Sequence, residues 1–205
     1  MTISTSQNLA ESLWRAYEKA GRECDGPVLI REVISIQQAE ALERPWKTAS
    51  DDFIVALADG PYLTRFDDPD KAKSANDHRG RTRLYESVHT RAGEWPAVVA
   101  SHLAAWLGAD VLSSVYEAEA SDTGLPEHHD AWNNIVLQIE GAKSWIINGE
   151  SEVVLSPGDV LVVPTGVMHY VRTPTYSVHI NFEVVNSEVV AAYLRESTPV
   201  PPKYI

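Results

Sequence analysis

Gly124-Leu-Pro-Glu-His128-His129-Asp130-Ala-Trp-Asn-Asn134-Ile-Val-Leu-Gln138 opens a β-rich run that extends past His169 to Asn181. His128 and Asp130 are two residues apart, so on extended chain they project from one face. His169 follows Asp130 by 39 residues and arrives from a different strand. Two histidines and a carboxylate so spaced suit one face of an octahedral ion and leave three positions open, as non-haem Fe(II) requires for oxygen chemistry. The same spacing is met if His128 and Asp130 are loop residues and His169 merely packs. By itself it leaves both readings open.

Outward from this stretch the pattern is β. Strands are expected at Val111 to Ala118, Trp132 to Ile139, Ala142 to Asn148, Glu152 to Leu155, Val160 to Val163 and Tyr176 to Val184. Asn148-Gly149 is the dipeptide of a type I′ hairpin, and Ser156-Pro157-Gly158 places Pro and Gly where a type II turn wants them. Upstream, residues 6 to 21 and Trp95 to Leu107 carry apolar residues at helical spacing, the second helix ending at Gly108. His102 falls off the second stripe and is expected to be exposed. Val28 to Ile34 suits a strand, 36 to 44 a polar helix, Asp51 to Ala58 a short capped helix and Pro61 to Phe66 a strand. Many short strands after a helical N-terminal part predict a mainly β fold with flanking helices, a β-barrel or double-sheet jelly roll carrying helices on one outer face. A single domain over 1–205 is expected: a helical and strand part to 110, a jelly-roll core over 111–185, and a C-terminal helix (Ser187 to Glu196) with an extended tail over 186–205.

Composition narrows the partners. The net charge is -12, from 29 acidic and 17 basic residues, so no broad electrostatic footprint for nucleic acid is present. No apolar run approaches the roughly 20 residues of a membrane helix. One cysteine, Cys24, and an N-terminus without a basic segment followed by an apolar core predict a cytoplasmic protein. From Asp67 to Arg83 the chain is almost without apolar residues and predicts a long solvated loop, a candidate lid. Its Arg79, Arg81 and Arg83 are obvious partners for an anionic substrate, and equally a simply solvated cluster.

Alternation adds further side chains to the metal face. If Glu140-Gly141 is a two-residue hairpin tip, Gln138 pairs with Lys143 and Asn134 with Ile147, so Lys143 shares the face of His128, Asp130 and Asn134. A cation there is what a dicarboxylate chelating the metal at its other end requires. Along one straight sheet, however, Asp130 and Gln138 lie about 26 Å apart, so the strand must bend or bulge. On the last strand Tyr176, Val178, Ile180 and Phe182 alternate with Ser177, His179, Asn181 and Glu183. With helices packed outside the sheet, the apolar set faces them and His179 and Asn181 line a polar cavity.

The run from His128 through Gln138 and Gly141 to Lys143, together with Gly158-Asp-Val-Leu-Val-Val-Pro164-Thr-Gly166-Val-Met-His169, resembles the JmjC-type branch of the cupin superfamily, the Fe(II)- and 2-oxoglutarate-dependent oxygenases. The likeness runs from about Val111 to Phe182 and is nearest to the compact members that include the ribosomal oxygenases. It implies a double-stranded β-helix with His128, Asp130 and His169 as iron ligands and Lys143 as partner of the distal 2-oxoglutarate carboxylate. Asn134, Asn181 and Tyr116 complete the cosubstrate pocket, and His129 points away from the metal. Two departures are visible. Leu125 stands where some relatives place a hydroxyl, and the chain ends soon after the barrel, which argues against a ribosomal protein as substrate.

The implied reaction uses Fe(II), 2-oxoglutarate and O2 to hydroxylate an unactivated C–H bond of a small molecule, amino acid or peptide side chain, releasing succinate and CO2. No general base is required. Two alternatives stand beside it: a cupin metalloenzyme that does not use 2-oxoglutarate, and a non-catalytic ligand-binding cupin. The C-terminal helix is a candidate homodimer surface.

Overall fold

The computed structural model describes residues 3–23, 26–47, 55–59, 62–66, 71, 80–90, 93–185 and 203–204. Helix α1 (Ile3–Glu23) and α3 (Trp95–Leu107) flank the sheets, with a short α2 (Ile36–Glu40) between them in sequence. The strands are β1 (Val28–Ile30), β2 (Val55–Asp59), β3 (Tyr62–Phe66), β4 (Arg83–Tyr85), β5 (Asp110–Ala118), β6 (Asn133–Gly141), β7 (Lys143–Ile147), β8 (Ser151–Leu155), β9 (Val160–Val163), β10 (His169–Arg172), β11 (Ser177–Val185) and β12 (Lys203–Tyr204). They form one sheet in the order β1-β9-β6-β11-β5-β4-β2-β3-β12 and a second in the order β10-β7-β8. Every pairing is antiparallel except that of β12 with β3. This is the expected mainly β jelly roll with helices on one outer face. Among the described residues no helix is long and apolar enough to cross a membrane.

Two apolar layers follow from strand alternation. On the outer face of the large sheet, Ile135 and Leu137 of β6, Val160 and Val162 of β9, and Val178, Ile180 and Phe182 of β11 pack under Leu9 and Leu13 of α1 and Val99 and Leu103 of α3. Between the two sheets, Val136, Trp145, Ile147, Leu155, Leu161 and Val163 form a second cluster. Helices covering one face allow β11 to turn its polar set, His179, Asn181 and Glu183, into the interior. Ordinary alternation would have left that set in water.

The hairpin expected at Glu140-Gly141 does not form. Strand β6 pairs with β11 and β9, whereas β7 pairs with β10 and β8, so the chain crosses from one sheet to the other at Gly141-Ala142. Gly141 sits at φ 62, and a Cβ there would lie 1.7 Å from the Tyr176 carbonyl oxygen. The crossover also removes the 26 Å difficulty, because Lys143 reaches the interior across the gap between facing sheets, about 10 Å, rather than along one of them. The other two turns behave as expected. Asn148 and Gly149 have φ 51 and 69, with Glu150 N donating to Ile147 O at 3.1 Å. Gly158 has φ 90, with Asp159 N donating to Ser156 O at 3.0 Å.

Other local expectations are corrected. Val55–Asp59 is a strand rather than part of a helix, since Val55 pairs with both Phe66 and Tyr85; pairing on both edges outweighs a neutral local propensity. The strand starting at Val28 stops at Ile30, because Asp159 draws the next residues aside by accepting from Arg31 Nη1 at 2.6 Å and from Glu32 N at 3.1 Å. Helix α2 is five residues long, held by a Ser35/Gln38 capping box. His102 is half-buried and stacks on Trp106 at 5.3 Å. The 67–83 loop lies outside the described residues except at 71 and 80–83, and the expected C-terminal helix lies wholly outside them.

The crossover makes Gly141 the position least tolerant of a side chain. Gly141→Ala is expected to destabilise the fold by roughly 3 kcal/mol or more through overlap and left-handed strain. Gly21→Ala, in α1 with nothing within 4 Å, is expected to be neutral or stabilising by up to about 1 kcal/mol. Urea denaturation midpoints of the two variants check both, and a Gly141→Ala loss below that of an ordinary surface substitution contradicts the crossover geometry.

Candidate metal centre

His128 and Asp130 lie on the connection from β5 to β6, and His169 opens β10. An isolated antiparallel bridge joins the two histidines, His128 N donating to His169 O at 3.0 Å and His169 N to His128 O at 2.7 Å. Potential ligand atoms of the three residues lie within 4.8 Å of one another. His128 Nε2 is 3.9 Å from Asp130 Oδ1, and His169 Nε2 is 3.7 Å from Asp130 Oδ2.

Hydrogen bonding prepares these side chains for a cation. Each imidazole places Nδ1 against a carbonyl two residues back, His128 on Pro126 O at 2.8 Å and His169 on Val167 O at 2.9 Å. A carbonyl only accepts, so Nδ1 carries the proton and the Nε2 lone pair is left facing Asp130. Burial holds His169 below the usual histidine range, which keeps it neutral near pH 7. Asn134 donates to Asp130 Oδ2. His129 is exposed and off the cluster, as expected.

The three residues stand on the wall of a cavity of about 440 Å³ that also takes in Lys143, Asn134, Asn181 and Tyr116. All seven residues singled out in the sequence therefore meet at one space. Lys143 is completely buried, and its ammonium donates to Thr173 Oγ1 at 2.9 Å. Among the described residues it has no carboxylate within ion-pair distance; burial lowers it to about 8, with the more distant Asp122 opposing. A buried cation using one of three donors is a site for an anion. Tyr116 stacks on His179 at 4.8 Å, and burial pushes its phenol well up. His179 is held well below the usual histidine range by burial first and by Lys143 second. Both rings are thus uncharged at neutral pH.

Several wall groups had no specific signal in the sequence. Thr173, which is not in the cavity lining but accepts from Lys143, belongs to the connection before β11 and became recognisable only through contact. Trp145 faces the cavity with its indole Nε1 buried and without a partner, as are the Asn134 and Asn181 Oδ1 atoms. Farther along the cavity lie Leu63, Arg65, Leu84, Glu86, Leu112 and Glu183. Glu183 was discoverable, since alternation places it on the face of Asn181. Its carboxyl is pushed up to about 7, by burial first and Asp130 second, against a Ser114 hydrogen bond. The two described arginines of the cluster lie elsewhere. Arg81 is buried on a bridge to Thr123, Arg83 is 3.9 Å from Glu117, neither lines the cavity, and Arg79 is outside the described residues.

The chain resembles known proteins over part of its length. The JmjC domain family matches residues 95–152, a segment that contains His128, Asp130, Asn134 and Lys143 and stops short of His169. Ribosomal oxygenase 2 of Mus musculus is 34% identical over 101 residues, 38% of this chain and 22% of that protein. Its counterpart from Rattus norvegicus is 28% identical over 118 residues, 46% of this chain and 25% of that protein. The matches thus span a quarter or less of those relatives. Among solved structures, the Escherichia coli ribosomal oxygenase YcfD in complex with cobalt and 2-oxoglutarate superposes with a TM-score of 0.59 at 15% identity, over 93% of this chain and 60% of that one. That likeness concerns the fold. Over residues 95–152 the chain is similar to the JmjC domain family, and its fold is that of the ribosomal oxygenase structure.

Proposed function

We propose that this chain is an Fe(II)- and 2-oxoglutarate-dependent oxygenase that hydroxylates a C–H bond of a small molecule, amino acid or peptide side chain, releasing succinate and CO2. The observation that carries the reading is Lys143, a buried ammonium without a carboxylate partner among the described residues, in the same cavity as His128, Asp130 and His169. The donor set suits the metal, since two imidazoles and one carboxylate leave positions open for further ligands. It also suits the cosubstrate, because Lys143 and the partnerless Trp145 Nε1 supply donors to a carboxylate in a closed space.

The chain's own residues would act as follows. His128, Asp130 and His169 hold the metal, and Asn134 fixes the Asp130 carboxylate. Thr173 orients Lys143 toward the distal carboxylate of 2-oxoglutarate, while Asn134, Asn181 and the protonated Tyr116 border the rest of that pocket. When bound, iron and 2-oxoglutarate supply the oxidising power for C–H hydroxylation with O2. The cavity wall holds the substrate at a set distance and limits water. Neither neutral ring, Tyr116 or His179, needs to move a proton. The name ribosomal oxygenase, carried by the mammalian and bacterial relatives, supports counting a ribosomal protein side chain among the candidate substrates, although the chain spans only part of those proteins.

Mixing the protein with Fe(II) and 2-oxoglutarate without oxygen is expected to give the visible charge-transfer band of the chelate. Iron binding without the band favours a cupin enzyme that does not use 2-oxoglutarate, and no metal binding favours a ligand-binding cupin. Lys143→Met is expected to weaken 2-oxoglutarate binding by roughly 100-fold or more, as when a buried charge loses its counterpart (about 3–5 kcal/mol).

The same variant is expected to be more stable without ligands. The folded Lys143 titrates at about 8 against an ordinary 10.5, so its charge opposes folding below pH 8 and the penalty fades as pH rises toward 10.5. At pH 7 the penalty is on the order of 3 kcal/mol. Urea midpoints at pH 7 and 10 should therefore show a gain for Lys143→Met that shrinks at the higher pH. An unchanged midpoint at pH 7 contradicts the burial argument.

A further inference from the structure

The Lys143 ammonium lies against a partition between two spaces. Its side chain lines the cavity, but the hydroxyl that accepts from it, Thr173 Oγ1 at 2.9 Å, lines a separate cleft of about 600 Å³. Gly124, Leu125 and Val171 border both spaces and form the wall between them. That wall is thin and closely packed, since a Cβ on Gly124 would lie 3.2 Å from Val171 Cγ2. The cleft runs over the outer face of the small sheet, where Ser144 of β7 stands in register with Val154 of β8 and Arg172 of β10. By alternation Lys143 and Trp145 belong to the opposite face. Lys143 is thus reached from two sides, by the cavity and, through Thr173, by the cleft.

An acid is built into the far side of this partition. Ser121 N donates to Thr173 O at 2.8 Å, and the next residue, Asp122, is fixed by Glu119 N, which donates to its Oδ2 at 2.8 Å. Asp122 is half-buried and lines the cleft, and its charge is the one that opposes the burial of Lys143. The other charged and titratable groups around the lysine are differently engaged. On the cavity side, burial keeps His179 of β11 and Tyr116 of β5 uncharged, and Glu183 is buried with its carboxyl pushed up to about 7. His128, Asp130 and His169 face one another, and Asn134 donates to Asp130. On the cleft side, Glu152 accepts from the Ser144 hydroxyl, and Arg172 Nη2 donates to Tyr170 Oη at 3.0 Å.

Resting on the oxygenase reading above, we propose that Asp122 is a positioning residue that acts from the outer cleft, across Thr173, to keep Lys143 protonated for the dicarboxylate that enters the cavity. An acid in direct contact with the ammonium would compete with the incoming carboxylate. An acid set behind the Thr173 hydroxyl favours the charged form and leaves the remaining N–H groups to the ligand. The sign of the pH dependence follows. Lys143 loses its proton as pH rises through about 8, so dicarboxylate affinity is full below that pH and falls above it. Without the Asp122 charge the fall begins at a lower pH.

The test reads the lysine directly. In the full chain without added metal or ligand, labelled with carbon-13 in its lysine side chains, the Cε resonance that Lys143→Met removes is followed by NMR from about pH 6 to 11. Asp122→Asn, whose side-chain oxygen still accepts from Glu119 N, is expected to lower the ionisation midpoint by about half a pH unit or more, and Asp122→Glu to restore it in part. Thr173→Val should also lower it, and Thr173→Ser should not. Glu152→Gln, which removes another acid from the same cleft, should leave it in place. On the chain loaded with Mn(II) without oxygen, calorimetry should show 2-oxoglutarate binding about threefold or more weakly to Asp122→Asn than to wild type at about pH 9, and equally at about pH 6.5. A midpoint unmoved by Asp122→Asn or by Thr173→Val, or moved as far by Glu152→Gln, overturns the proposal and leaves the oxygenase reading intact. A midpoint that responds to Asp122→Asn in a chain whose wild type does not bind 2-oxoglutarate overturns the oxygenase reading instead.

Discussion

Two backbone hydrogen bonds between His128 and His169 are the constraint on which the site depends. They tie a connection between strands of the large sheet to the first strand of the small one, so that three residues from two remote segments face each other. Neighbouring bonds reinforce the join. Gly166 N and Thr165 Oγ1 both donate to Asp130 O, at 2.9 and 3.1 Å, and Thr165 N donates to Asn133 Oδ1 at 2.9 Å. The backbone and the Nδ1 contacts carry this geometry.

The second determining feature is where the apolar surface goes. Helices α1 and α3 cover the outer face of the large sheet and absorb the apolar half of β6, β9 and β11. The inner half is then free to be polar, and a jelly roll closed at one end by the Trp145 and Leu161 cluster holds a cavity instead of a solid core. This arrangement opposes stability locally. Lys143 is buried against its preference for water, and the indole and amide atoms around it lack partners. Groups of that kind persist where a ligand satisfies them. Polar residues that weaken the empty fold thereby define what it binds.

Much of this was legible in the linear chain. Turn chemistry at Asn148-Gly149 and Pro157-Gly158 marked real turns, the helical stripes of α1 and α3 marked real helices, and the seven site residues converge as their motifs implied. Errors arose where local pattern is compatible with two pairings. Glu140-Gly141 looks like a hairpin tip because Gly permits a tight turn, but a positive φ serves equally well for a crossover between sheets. Val55–Asp59 has no strong local preference, and its strand state comes from β3 and β4 on either side. Charge clusters misled for a related reason. Arginines adjacent in sequence face different surroundings.

The sequence by itself determined which residue types alternate, where the chain turns at Asn148-Gly149 and Pro157-Gly158, and that two histidines, a carboxylate and a lysine stand at motif spacing. Those properties are local or carried by motif spacing, so they survive without coordinates. Only the tertiary structure decided that Lys143 approaches from the opposite sheet, that Thr173 accepts its hydrogen bond, and that Glu183 lines the same cavity. Each of these depends on which surfaces face one another across a cavity. The contacts join strands far apart in sequence, and no periodicity encodes them.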